Sequence, residues 1–193
     1  MKLIVGIGNP GPRYHLTRHN IGFDTLNAFA GRHCFPACRS QFSGLITDHT
    51  VNSEKVALLA PQTYMNASGR SVRQCVDFYK LELEDILVLL DDMNLDVGRL
   101  RLRRGGSAGG QKGLADIIRH LGTDQFPRLR IGVGRPPGRM AAADFVLQRF
   151  TDDERQHIDV SIADSVAGME TRIRSGLNSA MNVLNAAPEK HEQ

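Results

Sequence analysis

Five consecutive aliphatic residues, Ile86-Leu87-Val88-Leu89-Leu90, run straight into two aspartates, Asp91 and Asp92. A strand with that sequence has no polar face to offer water, so it constrains the fold more than any other segment. The run is far too short to span a bilayer, which takes about 20 apolar residues. Leu3 to Ile7 reads as a second buried strand, ended by glycine and proline in Gly6-Ile7-Gly8-Asn9-Pro10-Gly11.

Between and after these two strands the periodicity keeps changing. Ile21 to Ala30 has helical spacing, with Gly31 as its expected stop. Phe42–Thr47 and Val56–Ala60 read as strands that pair as a hairpin, which makes the sheet mixed. Asn66 or Ser68 is expected to cap a helix through Val72, Val76 and Tyr79. Leu100 to Arg104 alternates apolar residues with arginine, the pattern of a half-exposed strand. A glycine-rich stretch from Gly105 to Gly113 leads into a helix over Leu114–Leu121, and Leu129–Val133 is one more strand. From Thr151 the chain becomes helical. Thr151 and Glu154 have capping-box spacing, apolar residues recur from Ile158 to Leu184, and Gly176 is the expected break. Strands alternating with helices predict an α/β layered domain over residues 1–187, with 188–193 as a polar, flexible tail.

The net charge is only +3, but it is unevenly placed. Ten of the basic residues and only two acids, Asp116 and Asp124, lie between Arg99 and Arg139, a local surplus of eight. Such asymmetry suits a surface that faces a polyanion. Three cysteines, Cys34, Cys38 and Cys75, have neither disulfide-framework nor zinc-site spacing. The first residues enter a strand at once, without the longer apolar region of a signal peptide, so a cytoplasmic location is expected.

The glycine turn satisfies G-x-G-x-x-G, but Pro10 and Pro12 crowd it and the helical pattern starts only about ten residues later. A dinucleotide site needs the glycines to open directly into a helix, so no nucleotide cofactor is expected. The turn instead presents Asn9 from the carboxyl end of a sheet. His19, in Thr17-Arg18-His19-Asn20, is the candidate base, and Asp91, closing its strand, is the candidate partner. A carboxylate accepting from one ring nitrogen leaves the other free to take a proton. Asn9 and Asn66 add neutral amides that can orient a carbonyl or a water. Each residue alone has a plain structural explanation; it is the combination that favours a site. His15 precedes His19 by four residues, but no third ligand supports a metal. No G-x-S-x-G elbow presents a nucleophile, so a histidine-activated water is the economical mechanism.

Six stretches carry a specific resemblance: LIVGIGNPGPRY, TRHNIGFD, PQTYMNASG, ILVLLDDMNL, RLRRGGSAGGQKGL and FPRLRIGVGRP. Over nearly its whole length the chain resembles a bacterial-type peptidyl-tRNA hydrolase. The resemblance implies a single three-layer α/β domain, with a mixed central sheet flanked by helices and with C-terminal helices. It implies hydrolysis of the ester between a peptide and the 3′ end of tRNA. By position, His19 falls on the family's base, Asp91 on the acid that orients it, and Asn9 on an asparagine that discriminates blocked from unblocked aminoacyl-tRNA. Tyr14, Tyr64 and Asn66 fall on substrate-contacting positions. Arg103, Arg128 and Arg130 become candidates for holding tRNA phosphates, contacts that position a substrate without reading its sequence.

One segment departs from the family. Members commonly carry His-Asn-Gly where this chain has Gln111-Lys112-Gly113. An ammonium offers only donors, so Lys112 loses any accepting role of the amide and would meet a phosphate or ribose instead. The expected partner is tRNA, with no membrane, metal or cofactor, and the chain is expected to be a monomer. The alternative is a non-catalytic RNA-binding accessory protein on the same fold, like the splicing cofactors of the wider family; a nicotinamide oxidoreductase ranks third.

Overall fold

In chain order the elements are β1 (Lys2–Gly6), α1 (Ile21–Arg32), β2 (Arg39–Gln41), β3 (Gly44–Val51), β4 (Glu54–Pro61), α2 (Ser68–Tyr79), β5 (Ile86–Asp92), β6 (Leu100–Arg103), α3 (Lys112–Leu121), β7 (Arg128–Gly132), α4 (Ala142–Val146) and α5 (Asp152–Asn185). This computed structural model describes residues 1–186, so the tail expected at 188–193 lies outside the described residues. The seven strands form one sheet in the order β2-β3-β4-β1-β5-β7-β6. Its centre is parallel: β1 pairs with β4 and β5, and β5 pairs with β7. Its margins are antiparallel, through β2 with β3, β3 with β4, and β6 with β7. The expected hairpin is there, with Leu45 opposite Ala60 and Thr47 opposite Leu58.

The aliphatic run of β5 is buried along its whole length because helices cover both faces. Leu87 and Leu89 join Ile4, Leu58, Leu129 and Ile131 on the face packed by α1 and α5. Ile86, Val88 and Leu90 point the other way, to Val72 and Cys75 of α2 and Leu114 and Ile117 of α3. The alternation follows from the strand period of two. The result is the three-layer domain expected from the sequence.

α5 starts in the predicted capping box, with Thr151 and Glu154 capping each other. It is interrupted at Gly176, whose φ of 85° and ψ of 174° lie in a region open essentially to glycine alone. No helix among the described residues is long and apolar enough to cross a membrane.

Several local expectations need correction. Gly31 does not stop α1; the helix runs on to Arg32 and ends at His33. Neither Asn66 nor Ser68 caps α2 through its side chain. A 3-10 turn over Met65–Ala67 precedes that helix, and the Ser68 hydroxyl donates back to the Met65 carbonyl at 2.9 Å. α3 begins at Lys112, not Leu114, because Gln111 caps it.

Candidate active site

Since β1, β4, β5 and β7 run parallel, their carboxyl ends open on one edge of the sheet, the usual location of α/β sites. Asn9 lies three residues past β1, Tyr64 and Asn66 follow β4, and Asp91 is in the last turn of the pleat of β5. These residues border a cavity of about 470 Å³, which His19, Gln111, Lys112 and Arg130 also line. Val146 and Leu147, at the end of α4, close part of its wall.

His19 comes from a 3-10 turn over Arg18–Asn20 that runs directly into α1. Its Nδ1 is 2.8 Å from Oδ2 of Asp91, which is almost wholly buried. An ionised carboxylate only accepts, so Nδ1 carries the proton and Nε2 is left as the acceptor. That assignment is read from the hydrogen-bond network.

Asn9 is oriented at three points. Its backbone N–H donates to Oδ1 of Asn20 at 2.8 Å, and Nδ2 of Asn20 donates back to the Asn9 carbonyl at 2.9 Å. Its own Oδ1 accepts from the Met65 N–H at 2.8 Å. With the oxygen engaged, Nδ2 is the group Asn9 can offer to an oxygen in the cavity. The same Met65 explains a glycine: a Cβ on Gly113 would come within 2.6 Å of the Met65 sulfur and 3.0 Å of its carbonyl, so only glycine lets α3 start this close to the site.

Arg18, next to the histidine, is buried and serves packing. Its guanidinium lies over the rings of Phe145, at 4.3 Å, and Phe150, at 4.8 Å. It also pairs with Glu154 at 2.7 Å, and its backbone N–H donates to Gln148. The turn that carries His19 is thus fastened to α4 and to the start of α5. Burial opposes ionisation of Glu154, but hydrogen bonds from Arg18 and Thr151 outweigh it and hold the carboxyl below its usual value.

The basic residues divide into three kinds. Arg103 is exposed at the end of β6. Arg130 lines the cavity and pairs through Nε with Asp92 at 2.6 Å. Arg128 is not at the surface, contrary to the expectation that it would hold phosphate. It is 1% exposed, and its guanidinium donates to the carbonyls of Phe126, Asp124 and Gly106. Burial pushes its pKa down to about 10, which still leaves it charged at neutral pH. Tyr14 is half-buried beside Arg13, whose guanidinium lies 4.4 Å from its ring, and it does not line the cavity. Lys112, exposed at the first position of α3, does line it.

Two contributors were absent from the sequence expectations. Asn20 was seen only as a neighbour of the histidine, yet it pins Asn9. Gln111 donates from Nε2 to Oδ1 of Asp91 at 3.0 Å. Its available signal was a polar side chain just ahead of a helix and just after two glycines, the place of a cap. Among the described residues no group of three or more His, Cys, Asp or Glu side chains is placed to hold a metal ion. Cys34 and Cys38 are exposed, and Cys75 is buried with its thiol pushed up to about 12.

An α/β domain with a histidine–carboxylate pair and fixed amides around one cavity at the carboxyl edge of its sheet has the layout of a hydrolase. The chain belongs to the peptidyl-tRNA hydrolase family, whose model, described as "Peptidyl-tRNA hydrolase", matches residues 3–193. It is 52% identical over 187 residues to a peptidyl-tRNA hydrolase of Rhodopirellula baltica, covering 97% of this chain and 98% of that one. It is 46% identical over 186 residues to one from Staphylococcus haemolyticus, covering 96% and 98% respectively. The crystal structure of the Acinetobacter baumannii peptidyl-tRNA hydrolase superimposes with a TM-score of 0.92 at 35% identity, covering 96% of this chain and 95% of that one.

Proposed function

We propose that this chain hydrolyses the ester joining a peptide, or another N-blocked aminoacyl group, to the 3′ end of tRNA, and so recycles tRNA from peptidyl-tRNA released by stalled ribosomes. The observation that carries this is the His19–Asp91 pair, whose free Nε2 belongs to a histidine lining the same cavity as Asn9 and Asn66. Nε2 takes a proton from a water, and the resulting hydroxide attacks the ester carbonyl carbon. Asp91 stabilises the imidazolium that forms. Nδ2 of Asn9, joined by the Asn66 amide, donates to the incipient oxyanion. As the tetrahedral intermediate collapses, the ribose 3′-oxygen leaves and takes the proton back from His19. The products are a peptide carboxylic acid and a free tRNA 3′ hydroxyl.

Tyr64, Asn66 and Lys112 would contact the aminoacyl end and the terminal nucleotide. Arg103 and Arg130 would hold phosphates, with Arg128 acting beneath them as a structural residue. Tyr14 is kept as a substrate contact on the strength of the resemblance alone. The chemistry asks for no metal or cofactor, because the histidine supplies the base. The enzyme would work as a monomer in the cytoplasm, on tRNA and away from membranes.

The accessory-protein alternative finds no support: the relatives carry hydrolase names, and the base and its acid are both present and paired. The test is His19→Ala assayed on an N-acetylaminoacyl-tRNA. Hydrolysis should vanish while the circular dichroism spectrum is kept, and near-normal turnover would overturn the assignment.

A further inference from the structure

Asp91 has two oxygens, and His19 uses only one. The other, Oδ1, accepts from Nε2 of Gln111 at 3.0 Å, while Oε1 of the same amide accepts from the Leu114 N–H at 2.7 Å. Gln111 is nine-tenths buried, and its Nε2 also lies 3.2 Å from the Met65 sulfur. The two ends of this amide meet opposite demands. A backbone N–H can only donate, and a carboxylate that serves His19 can only accept. The group between them must accept on one side and donate on the other without carrying charge.

We propose that Gln111 is a positioning residue for the proposed hydrolytic reaction, an uncharged bridge that locks the Asp91 carboxylate to the start of α3 and so sets the direction and basicity of His19. The inference rests on His19 being the base. Without the bridge, Oδ1 loses its donor and the carboxylate can rotate about its χ2, taking the histidine with it. An imidazole, the family's usual group here, can bridge only while neutral, since its cation has no acceptor. The amide of Gln111 does not titrate, so the support beneath His19 is the same across the working pH range. The charged and titratable groups around it are Asp91, His19, Asp92 with its partner Arg130, the neighbouring Lys112, and Tyr64 across the cavity. Of these, Asp91 is the carboxylate hydrogen-bonded to Gln111, so any change at Gln111 meets it first.

Two substitutions separate positioning from plain structure. Gln111→Glu keeps the acceptor for the Leu114 N–H, and a carboxylate suits a helix N-terminus. It removes the donor, however, and brings a second carboxylate against Asp91, an arrangement that resists double ionisation. With N-acetylaminoacyl-tRNA as substrate, the ascending limb of kcat/KM against pH should move up by about one unit or acquire an additional limb. Gln111→Met keeps the length but neither donates nor accepts; kcat should fall on the order of tenfold with KM changed less than twofold, the loss expected for one hydrogen bond to a charged group. A Gln111→Glu profile superimposable on the parent's overturns the proposal. If that variant does not fold, an unchanged kcat in Gln111→Met overturns it. His19→Ala measured alongside keeps the two ideas apart: normal turnover there sinks the hydrolase mechanism, whereas an inactive His19→Ala beside unaltered Gln111 variants sinks only the role of Gln111.

Discussion

Nδ1 of His19 and Oδ2 of Asp91 come within 2.8 Å of each other across 72 positions of sequence. The contact exists because the turn before α1 folds back over the carboxyl end of β5, the strand that pairs directly with β1. Asp91→Asn keeps the shape and removes the charge. The imidazolium formed during water activation then loses its counter-ion, and the amide no longer dictates which ring nitrogen is protonated. Turnover should fall by about a hundredfold or more. A variant with parental kcat would show that the pair is not catalytic.

Much of this arrangement was legible in the chain, and the parts that were not share a cause. The β5 run announced a strand buried on both faces, Thr151 and Glu154 announced the start of α5, and Gly176 announced its break. Each of those signals is local, and the residue meets its own requirement. Gly31 misled because a glycine in the last turn of a helix costs only about 1 kcal/mol, which α1 tolerates. β2 is a polar edge strand, Arg39-Ser40-Gln41, with no apolar alternation to betray it. Arg128 and Arg130 are two apart on one strand and so look equivalent. The difference is tertiary: the carbonyls of Gly106 and Asp124, brought in by separate loops, close over Arg128 and leave Arg130 at the cavity. The Gln111 bridge was hidden for the same reason, since its meaning depends on Asp91 arriving from another strand.

That contrast between arginines can be read in solution. Arg103 is exposed, so Arg103→Ala should weaken tRNA binding and reduce the slope of log K against log salt by about one. Arg128→Ala should leave that slope alone, because the buried guanidinium faces no phosphate. It should instead destabilise the fold by about 2–4 kcal/mol, by stranding the carbonyls of Phe126, Asp124 and Gly106. Filter binding over a salt series and denaturant unfolding check the two halves. A reduced salt slope in Arg128→Ala would restore it to the phosphate-binding set.

Glu154 gives the fold a dependence on acid that is separate from the chemistry. Its Oε2 accepts from Arg18 at 2.7 Å and from the Thr151 N–H at 2.8 Å, and these bonds depress its pKa despite partial burial. A carboxyl whose folded value lies below its unfolded value stabilises the protein fully above the unfolded value. That contribution is lost as pH falls through the folded value. Glu154→Gln is the matching probe, because glutamine still completes a capping box and only the charge is removed. At pH 7 the variant should melt below the parent, since Arg18 is left buried between Phe145 and Phe150 without its anion. The gap should narrow once the pH drops below about 4, where an unperturbed glutamate would protonate, and close further down as Glu154 itself does. Thermal midpoints for both proteins between pH 7 and pH 3 decide it, and a gap that stays constant over that range would mean that the charge on Glu154 does not hold Arg18.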